Sequence, residues 1–481
     1  MTKIRPYLSF IGAFTIIFGF IILSPLIYLL VDQSELNQAK YFILPGVFSL
    51  FFGYVLYYFN RSYQNQIRFN RSNLFVIVLI WLLGIFVSAI PFYLLEPFDF
   101  AHAIFEATSG LSTTGLSVMD VAVTPNVFLL YRSILQFVGG VGLVLVFVSM
   151  LSKQNAYAIY SAEGHDDQLS SNLVKSARRI ITIYLGYIVL GTFLLTLFDM
   201  SVFDALNHSI AAISTGGFST EAQSIYFYDN VGIEIILQVL MILGGTNFLL
   251  HYFILTGRLK QILRHVEIYY VLFVLVLVVP LISFLLSNSN GYGFFDALRI
   301  TSFQLVSSFT TTGFSSVADL RMMPSFFLGV MILLMLIGGG MGSTAGGIKQ
   351  FRVIVWIKSV YWYLKEQVTS NRLIYKRSIV RVNKEEILDD KKINNTTGFI
   401  FLYFFFLMVG TFIFLMYGYQ LEESLFEVAS ALGTVGLSVG LFTYASPSVI
   451  LWLGSFLMFI GRLEIIIVLL AIVNIFKLRR G

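Results

Sequence analysis

Long apolar runs separated by short polar connections dominate the chain. Tyr7 to Val31 and Tyr41 to Phe59 are the first two, and each is long enough to cross a hydrocarbon core, for which roughly 20 apolar residues suffice. A composite pattern then sets in: a long apolar run, a short amphipathic stretch, a loop rich in hydroxyls and glycine, and a second long run. Its first instance reads Leu74 to Leu95, Ala101 to Ser109, a loop, and Asn126 to Leu151. Ile180 to Phe198 and Val231 to Leu255 flank the second, Ile268 to Leu286 opens the third, and Phe399 to Tyr417 with Ser448 to Phe476 bound the fourth. The pattern predicts ten membrane-crossing segments and four short re-entrant hairpins.

The loops resemble one another. Ser112-Thr113-Thr114-Gly115, Ser214-Thr215-Gly216-Gly217, Thr310-Thr311-Thr312-Gly313 and Gly433-Thr434-Val435-Gly436 each precede a bulky apolar residue and a serine. Their last glycines lie 102, 96 and 123 residues apart, too far for a solenoid and far enough for two spans and a hairpin per unit. Phe105-Glu106, Phe303-Gln304 and Phe426-Glu427 stand at matched offsets before three of these glycines, with Asn207-His208 in the second unit. Glu106 and Glu427 are expected to anchor backbone in preference to binding ions. The fold class expected is an all-α membrane protein. Four pseudo-symmetric units of span, pore helix, filter loop and span surround one pore, after two extra N-terminal helices. The units are 1–72 for the N-terminal pair, then 73–170, 171–266, 267–395 with a broken second helix and a basic loop, and 396–481.

Composition agrees: 57% of residues are hydrophobic and 12% charged, with a mean hydropathy of +0.83, about half the charge of an average soluble domain. The absence of cysteine excludes disulfides and thiolate metal sites. The first run follows Lys3 and Arg5 like a signal peptide, but it is too long and lacks a small-residue cleavage site, so it reads as a retained span. Of 31 Lys and Arg residues, all but Lys40, Arg132, Arg299, Arg321 and Arg462 fall in connections on one side. That bias predicts cytoplasmic termini and loops that enter from outside.

Non-helical backbone at membrane depth costs several kcal/mol per unpaired peptide group, about what transfer to hydrocarbon costs, so it survives only when packed in protein or lining a watery path. Four loops around one axis supply the second: their carbonyls can replace the hydration shell of a monovalent cation. No carboxylate lies in any of the four tetrapeptides, which argues against a divalent-cation site. Met323 to Ser359 would be about 55 Å long as one helix, nearly twice a bilayer core, and must be broken. Gly338 to Gly347 contains six glycines in ten residues. A movable loop that blocks the pore is preferred there to a helix-packing surface of small residues. Lys349 follows Ile348 and not the last glycine, so this is no phosphate-binding loop. The connection from Tyr361 to Asn395 is basic, with Lys365, Arg372, Lys376, Arg377, Arg381, Lys384, Lys391 and Lys392. It reads as a surface for anionic lipid or as a dock for a cytosolic regulator, to which Glu163, His165, Asp166 and Asp167 could add opposite charge.

The four loops resemble those of the Trk/Ktr/HKT superfamily of potassium transporters. So do Gly244-Gly245-Thr246-Asn247-Phe248, the segment Gly338 to Lys349, and Gly461-Arg462-Leu463-Glu464. The extra N-terminal pair of spans is most similar to the TrkH branch. The resemblance implies potassium as the transported ion, held by backbone carbonyls of the four tetrapeptides, above all Thr113, Thr114, Thr215, Gly216, Thr311, Thr312, Thr434 and Val435. Gly115, where sodium-passing members often carry serine, implies potassium in particular. The implied gate comprises Gly338, Gly339, Gly340, Gly342, Ser343, Thr344, Gly346, Gly347 and Lys349, with Arg462 facing the pore beneath the filter. Also implied are a homodimer with one pore per protomer, a cytosolic TrkA-like regulatory ring that binds nucleotide, and a bacterial inner membrane. Membrane lipid is the remaining partner expected, with no organic cofactor and no nucleic acid. The fourth loop departs from the pattern by carrying one hydroxyl in Gly433-Thr434-Val435. Channel-like and ion-coupled passage both fit. A secondary transporter of organic solutes is the main rival, but it has two related halves where this chain has four quarters. An intramembrane protease using Ser343 and His251 would not need repeated loops.

Overall fold

The structure, a computed structural model, describes residues 5–66, 74–142, 173–368, 377–381 and 384–478. Six helical stretches are long and apolar enough to cross a membrane: Arg5–Leu30, Gln33–Tyr63, Phe75–Leu94, Ala177–Thr196, Val266–Ser289 and Asp390–Met416. The first two pack through glycine. A Cβ at Gly12 would press on the Gly53 carbonyl, and one at Gly53 on the Gly12 carbonyl, each at 2.8 Å, so the pair meets backbone to backbone as small residues allow. Outward faces remain apolar, with Val189 69%, Val276 71% and Phe401 70% exposed, which suits lipid and would be costly in water.

Two second spans that the apolar runs give as single stretches, Val231 to Leu255 and Ser448 to Phe476, are each broken in two. Val231–Gly244 and Phe248–Leu255 meet at 112°, and Ser448–Arg462 and Ile465–Asn474 at 97°. In the first unit Asn126–Phe137 gives way to a π-helical turn, Val138–Gly142, beyond which the expected span to Leu151 lies outside the described residues. In the third, Ser325–Ile337 ends at Gly338 and the helix resumes at Gln350–Val368. Each second helix therefore leaves regular α geometry near a glycine. Three of these glycines pass the end of a re-entrant helix: a Cβ at Gly139, Gly244 or Gly461 would collide with the carbonyl of Leu111, Ile213 or Leu432.

The re-entrant helices are Phe100–Leu111, Val202–Ile213, Phe294–Phe309 and Leu421–Leu432. Asp99 caps the first by accepting from the His102 N–H, and Ser201 caps the second by accepting from Asp204 N–H. Each ends directly in its loop, so four negative dipole ends, about half a charge apiece, meet where the loops meet.

One element was not expected in an all-helical chain. Ser378–Arg381 pairs antiparallel with Lys384–Ile387, Ser378 opposite Ile387 and Arg381 opposite Lys384. Ile379 is buried and Val380 44% exposed, the alternation of a strand with one covered face. Ile379 and Leu388 join Met341, Phe351 and Val355 in a small cluster apart from the main core.

Candidate functional site

Each loop opens with a right-handed residue and then a left-handed one. Ser112, Ser214, Thr310 and Gly433 sit near φ −77, −78, −81 and −73°, and Thr113, Thr215, Thr311 and Thr434 at +56, +50, +55 and +50°. Two residues on, Gly115, Gly217, Gly313 and Gly436 are again positive, at +91, +68, +91 and +97°, which a side chain would oppose. Alternation of hand turns successive peptide planes the same way, so N–H groups gather on one side and carbonyls on the other. The N–H groups face the parent helix: Thr114, Gly216, Thr312 and Val435 donate to the carbonyls of Ser109, Ala211, Ser307 and Ser430 at 2.8–3.0 Å. Gly115, Gly313 and Gly436 donate to the hydroxyls of those same serines at 3.0–3.1 Å, and the second unit, with Ala211, has no hydroxyl to offer.

The loops close into a ring. A Cβ on Gly115 would strike the Gly216 carbonyl, one on Gly217 the Thr312 carbonyl, one on Gly313 the Val435 carbonyl, and one on Gly436 the Thr114 carbonyl. Each loop touches the next at the same register and the fourth touches the first. That requires four carbonyls at one level around one axis. Above the ring opens a cavity of about 480 Å³, lined by the four glycines and by Asp120, Glu221, Asp319 and Arg321 among others.

A buried polar side chain in each re-entrant helix grips the serine that follows its loop. Glu106 accepts from Ser117 Oγ at 2.9 Å, Glu427 from Ser438 Oγ at 2.5 Å, and Gln304 Nε2 donates to Ser315 Oγ at 2.9 Å. In the second unit His208 Nε2 meets Ser219 Oγ at 2.9 Å while Nδ1 faces the Asp204 carbonyl at 2.8 Å. A carbonyl only accepts, so Nδ1 carries a proton, and in the neutral ring Nε2 then accepts from the serine. Glu106 and Glu427 also accept from the backbone N–H groups of Val118, and of Val439 and Leu441. Glu106 further pairs with Arg132 at 2.9 Å, and the Arg132 guanidinium lies 4.0 Å over the Phe218 ring.

The break between Gly338 and Lys349 folds back against the underside of this ring. Gly338, Gly342 and Gly347 take positive φ, as does Lys349, whose Nζ donates to the Ala345 carbonyl. Gly339 packs against Ala345, where a Cβ would collide, and Ser343 Oγ donates to the Gly340 carbonyl at 2.6 Å. Three loops are touched. Thr344 Oγ1 meets Thr215 Oγ1 at 3.1 Å, Gly346 N–H donates to Thr311 Oγ1 at 2.8 Å, and a Cβ on Gly346 would meet Thr434 Oγ1. Arg462 reaches the same place, donating to the carbonyls of Thr344 at 2.6 Å and of Gly139 at 2.5 Å. Glu464 points instead to Arg352, at 2.7 Å.

Two pins were not anticipated. Glu267 Oε1 accepts from Met341 N–H at 3.0 Å, and Asn247 Nδ2 donates to the Met341 carbonyl at 2.6 Å. Gly340 N–H adds a bond to the Gly245 carbonyl at 2.9 Å. Asn247 stood within a glycine-rich motif already noted, whereas Glu267 is an acid at the start of an apolar run, a signal available but not used. The acidic group at 163–167 and the basic Arg372 and Lys376 lie outside the described residues.

A family model described as TrkH, cation transport protein, matches residues 38–290 and 270–477. The chain is 32% identical to an uncharacterized cation transporter of Methanocaldococcus jannaschii, with 98% of this chain and 96% of that one covered. It is 30% identical to the Trk system potassium uptake protein TrkG of Escherichia coli, covering 89% of this chain and 90% of that one. The crystal structure of the potassium transporter TrkH from Vibrio parahaemolyticus superposes with a TM-score of 0.85 at 26% identity, over 97% of this chain and 98% of that one. With the fourfold ring and its helical frame, these matches make the chain a member of the TrkH family of cation transport proteins.

Proposed function

We propose that this protein takes potassium into the cell through the ring of loop carbonyls. The single observation that carries the proposal is the closure of the ring, in which each loop glycine abuts the carbonyl before the equivalent glycine of the next loop. Carbonyl dipoles at one level, backed by four helix C-termini, offer a dehydrated cation ligands of the kind water supplies, and relatives bearing the name potassium uptake protein support potassium as that cation. The residues proposed as ligands are the carbonyls of the four tetrapeptides from Ser112, Ser214, Thr310 and Gly433. The segment from Gly338 to Lys349, with Arg462, acts as the gate. The protein works as a homodimer in a bacterial inner membrane with both termini in the cytoplasm, and a cytosolic nucleotide-binding ring docks on the basic connection to release the gate.

Purified protein in liposomes tests this directly. Flux of potassium and rubidium should exceed that of sodium and lithium, and Gly115→Ser should admit sodium. Equal potassium and sodium flux in the parent would overturn the proposal.

A further inference from the structure

Three of the four second helices carry methionine three residues before the glycine at their break: Met241 before Gly244, Met335 before Gly338 and Met458 before Gly461. The first carries Gln136 before Gly139. All four side chains are fully buried. A buried carboxamide needs partners that a thioether of similar length does not, and Gln136 finds them in the next loop. Its Nε2 donates to the Gly216 carbonyl at 2.5 Å, and its Oε1 faces the Phe218 N–H at 3.4 Å. The N–H can only donate, which fixes the amide orientation and turns the NH₂ toward the carbonyl. Gly216 is also the one glycine among the residues that supply the ring carbonyls, the others being Thr114, Thr312 and Val435. A Cβ there would collide with the Gln136 carboxamide. Gln136 and Gly216 are thus a matched pair at positions where the other units carry methionine and a residue with a side chain.

The consequence concerns the ion. Among the described residues, the Thr114, Thr312 and Val435 carbonyls accept no hydrogen bond, whereas the Gly216 carbonyl does. A carbonyl that already accepts from an amide presents a weaker field to a cation. Coulomb attraction to a dipole falls with distance, so a smaller cation, which approaches more closely, loses more when that field is weakened. We propose that Gln136 is a specificity-determining residue: by donating to one carbonyl of the ring it lowers the field at that level and biases the site toward potassium over sodium. The proposal rests on reading the ring as a cation site.

Gln136→Met installs the side chain of the other three units with little change in volume. In reconstituted protein it should keep potassium flux while lowering the potassium-to-sodium flux ratio by roughly threefold to tenfold, the scale of one neutral hydrogen bond. A merely structural role would reduce the amount of folded protein or both fluxes together, and would leave the ratio alone. Gly115→Ser run in parallel separates the two readings. If it lowers the ratio and a folded Gln136→Met does not, the role of Gln136 falls and the ring stands. If the parent shows no preference and Gly115→Ser changes nothing, the ring reading falls and takes this one with it. Should Gln136→Met fail to fold, Gln136→Leu carries the same test. It has no proton to donate to the Gly216 carbonyl and adds no charge, so the ratio should again drop; an unchanged ratio overturns the proposal.

Discussion

Glu427 shows what single residues contribute here. It is fully buried and its carboxylate accepts from one hydroxyl and two backbone N–H groups just past the fourth loop. Orphaning a buried donor costs about 1–3 kcal/mol. Glu427→Ala should therefore lower stability by about 3 kcal/mol or more and remove potassium flux, while Glu427→Gln, whose amide oxygen still accepts, should cost less. Thermal unfolding in detergent measures the first difference, and equal midpoints for Ala and Gln would mean the carboxylate is not the clamp. Glu106 carries a further load because Arg132 depends on it, and breaking a buried pair by removing one partner costs about 3–5 kcal/mol. The matched offsets of Glu106, Gln304 and Glu427 were legible along the chain, but their partners were not. That His208 performs the same task shows why: the serine needs a polar atom at one point in space, and chemically different side chains supply it.

Among elements, the segment from Gly338 to Lys349 is the one whose behaviour the proposal depends on. Helix length alone required a break, since a straight helix from Met323 to Ser359 overshoots the bilayer. Where the break goes is a matter of contacts, with Thr215, Thr311 and Thr434 above it and Asn247 and Glu267 beside it. Arg462 adds charge to the proposed obstruction. A cation 4 Å from a guanidinium is repelled by roughly 4 kcal/mol at an effective dielectric constant near 20. Arg462→Ala should raise potassium flux in the absence of any regulator, and deletion within Gly340 to Gly346 should raise it by relieving the steric block, both with selectivity over sodium intact. Well-folded variants that conduct no faster than the parent would place the constriction elsewhere. The second spans expected over Val231 to Leu255 and Ser448 to Phe476 are each bent in the middle, which hydropathy does not register because it sees only composition. The bends at Thr246-Asn247 and Leu463-Glu464 preserve the apolar content while turning the axis.

At the scale of the molecule, the hairpin Ser378 to Ile387 ties the basic connection to the break, because Ile379 and Leu388 share a cluster with Met341. If the proposed cytosolic partner docks here, replacing 378–387 by a Gly/Ser linker should leave ion selectivity unchanged and abolish that partner's stimulation of flux. Unchanged binding in a pull-down, together with unchanged stimulation, would locate the dock outside this connection. Apolar run lengths, four spaced glycine loops and one-sided basic residues were enough to determine a multi-pass helical protein with fourfold internal repetition, because each is a local demand of lipid or backbone that a short window of chain must meet. Only the tertiary structure decided which carbonyl faces which glycine across the ring, that Arg462 is held by Thr344 and Gly139 and not by Glu464, and that Gln136 answers to Gly216 across 80 residues. Those pairings join segments from different repeats, and nothing within one repeat specifies the partner until the helices pack and bring the polar groups within hydrogen-bonding distance.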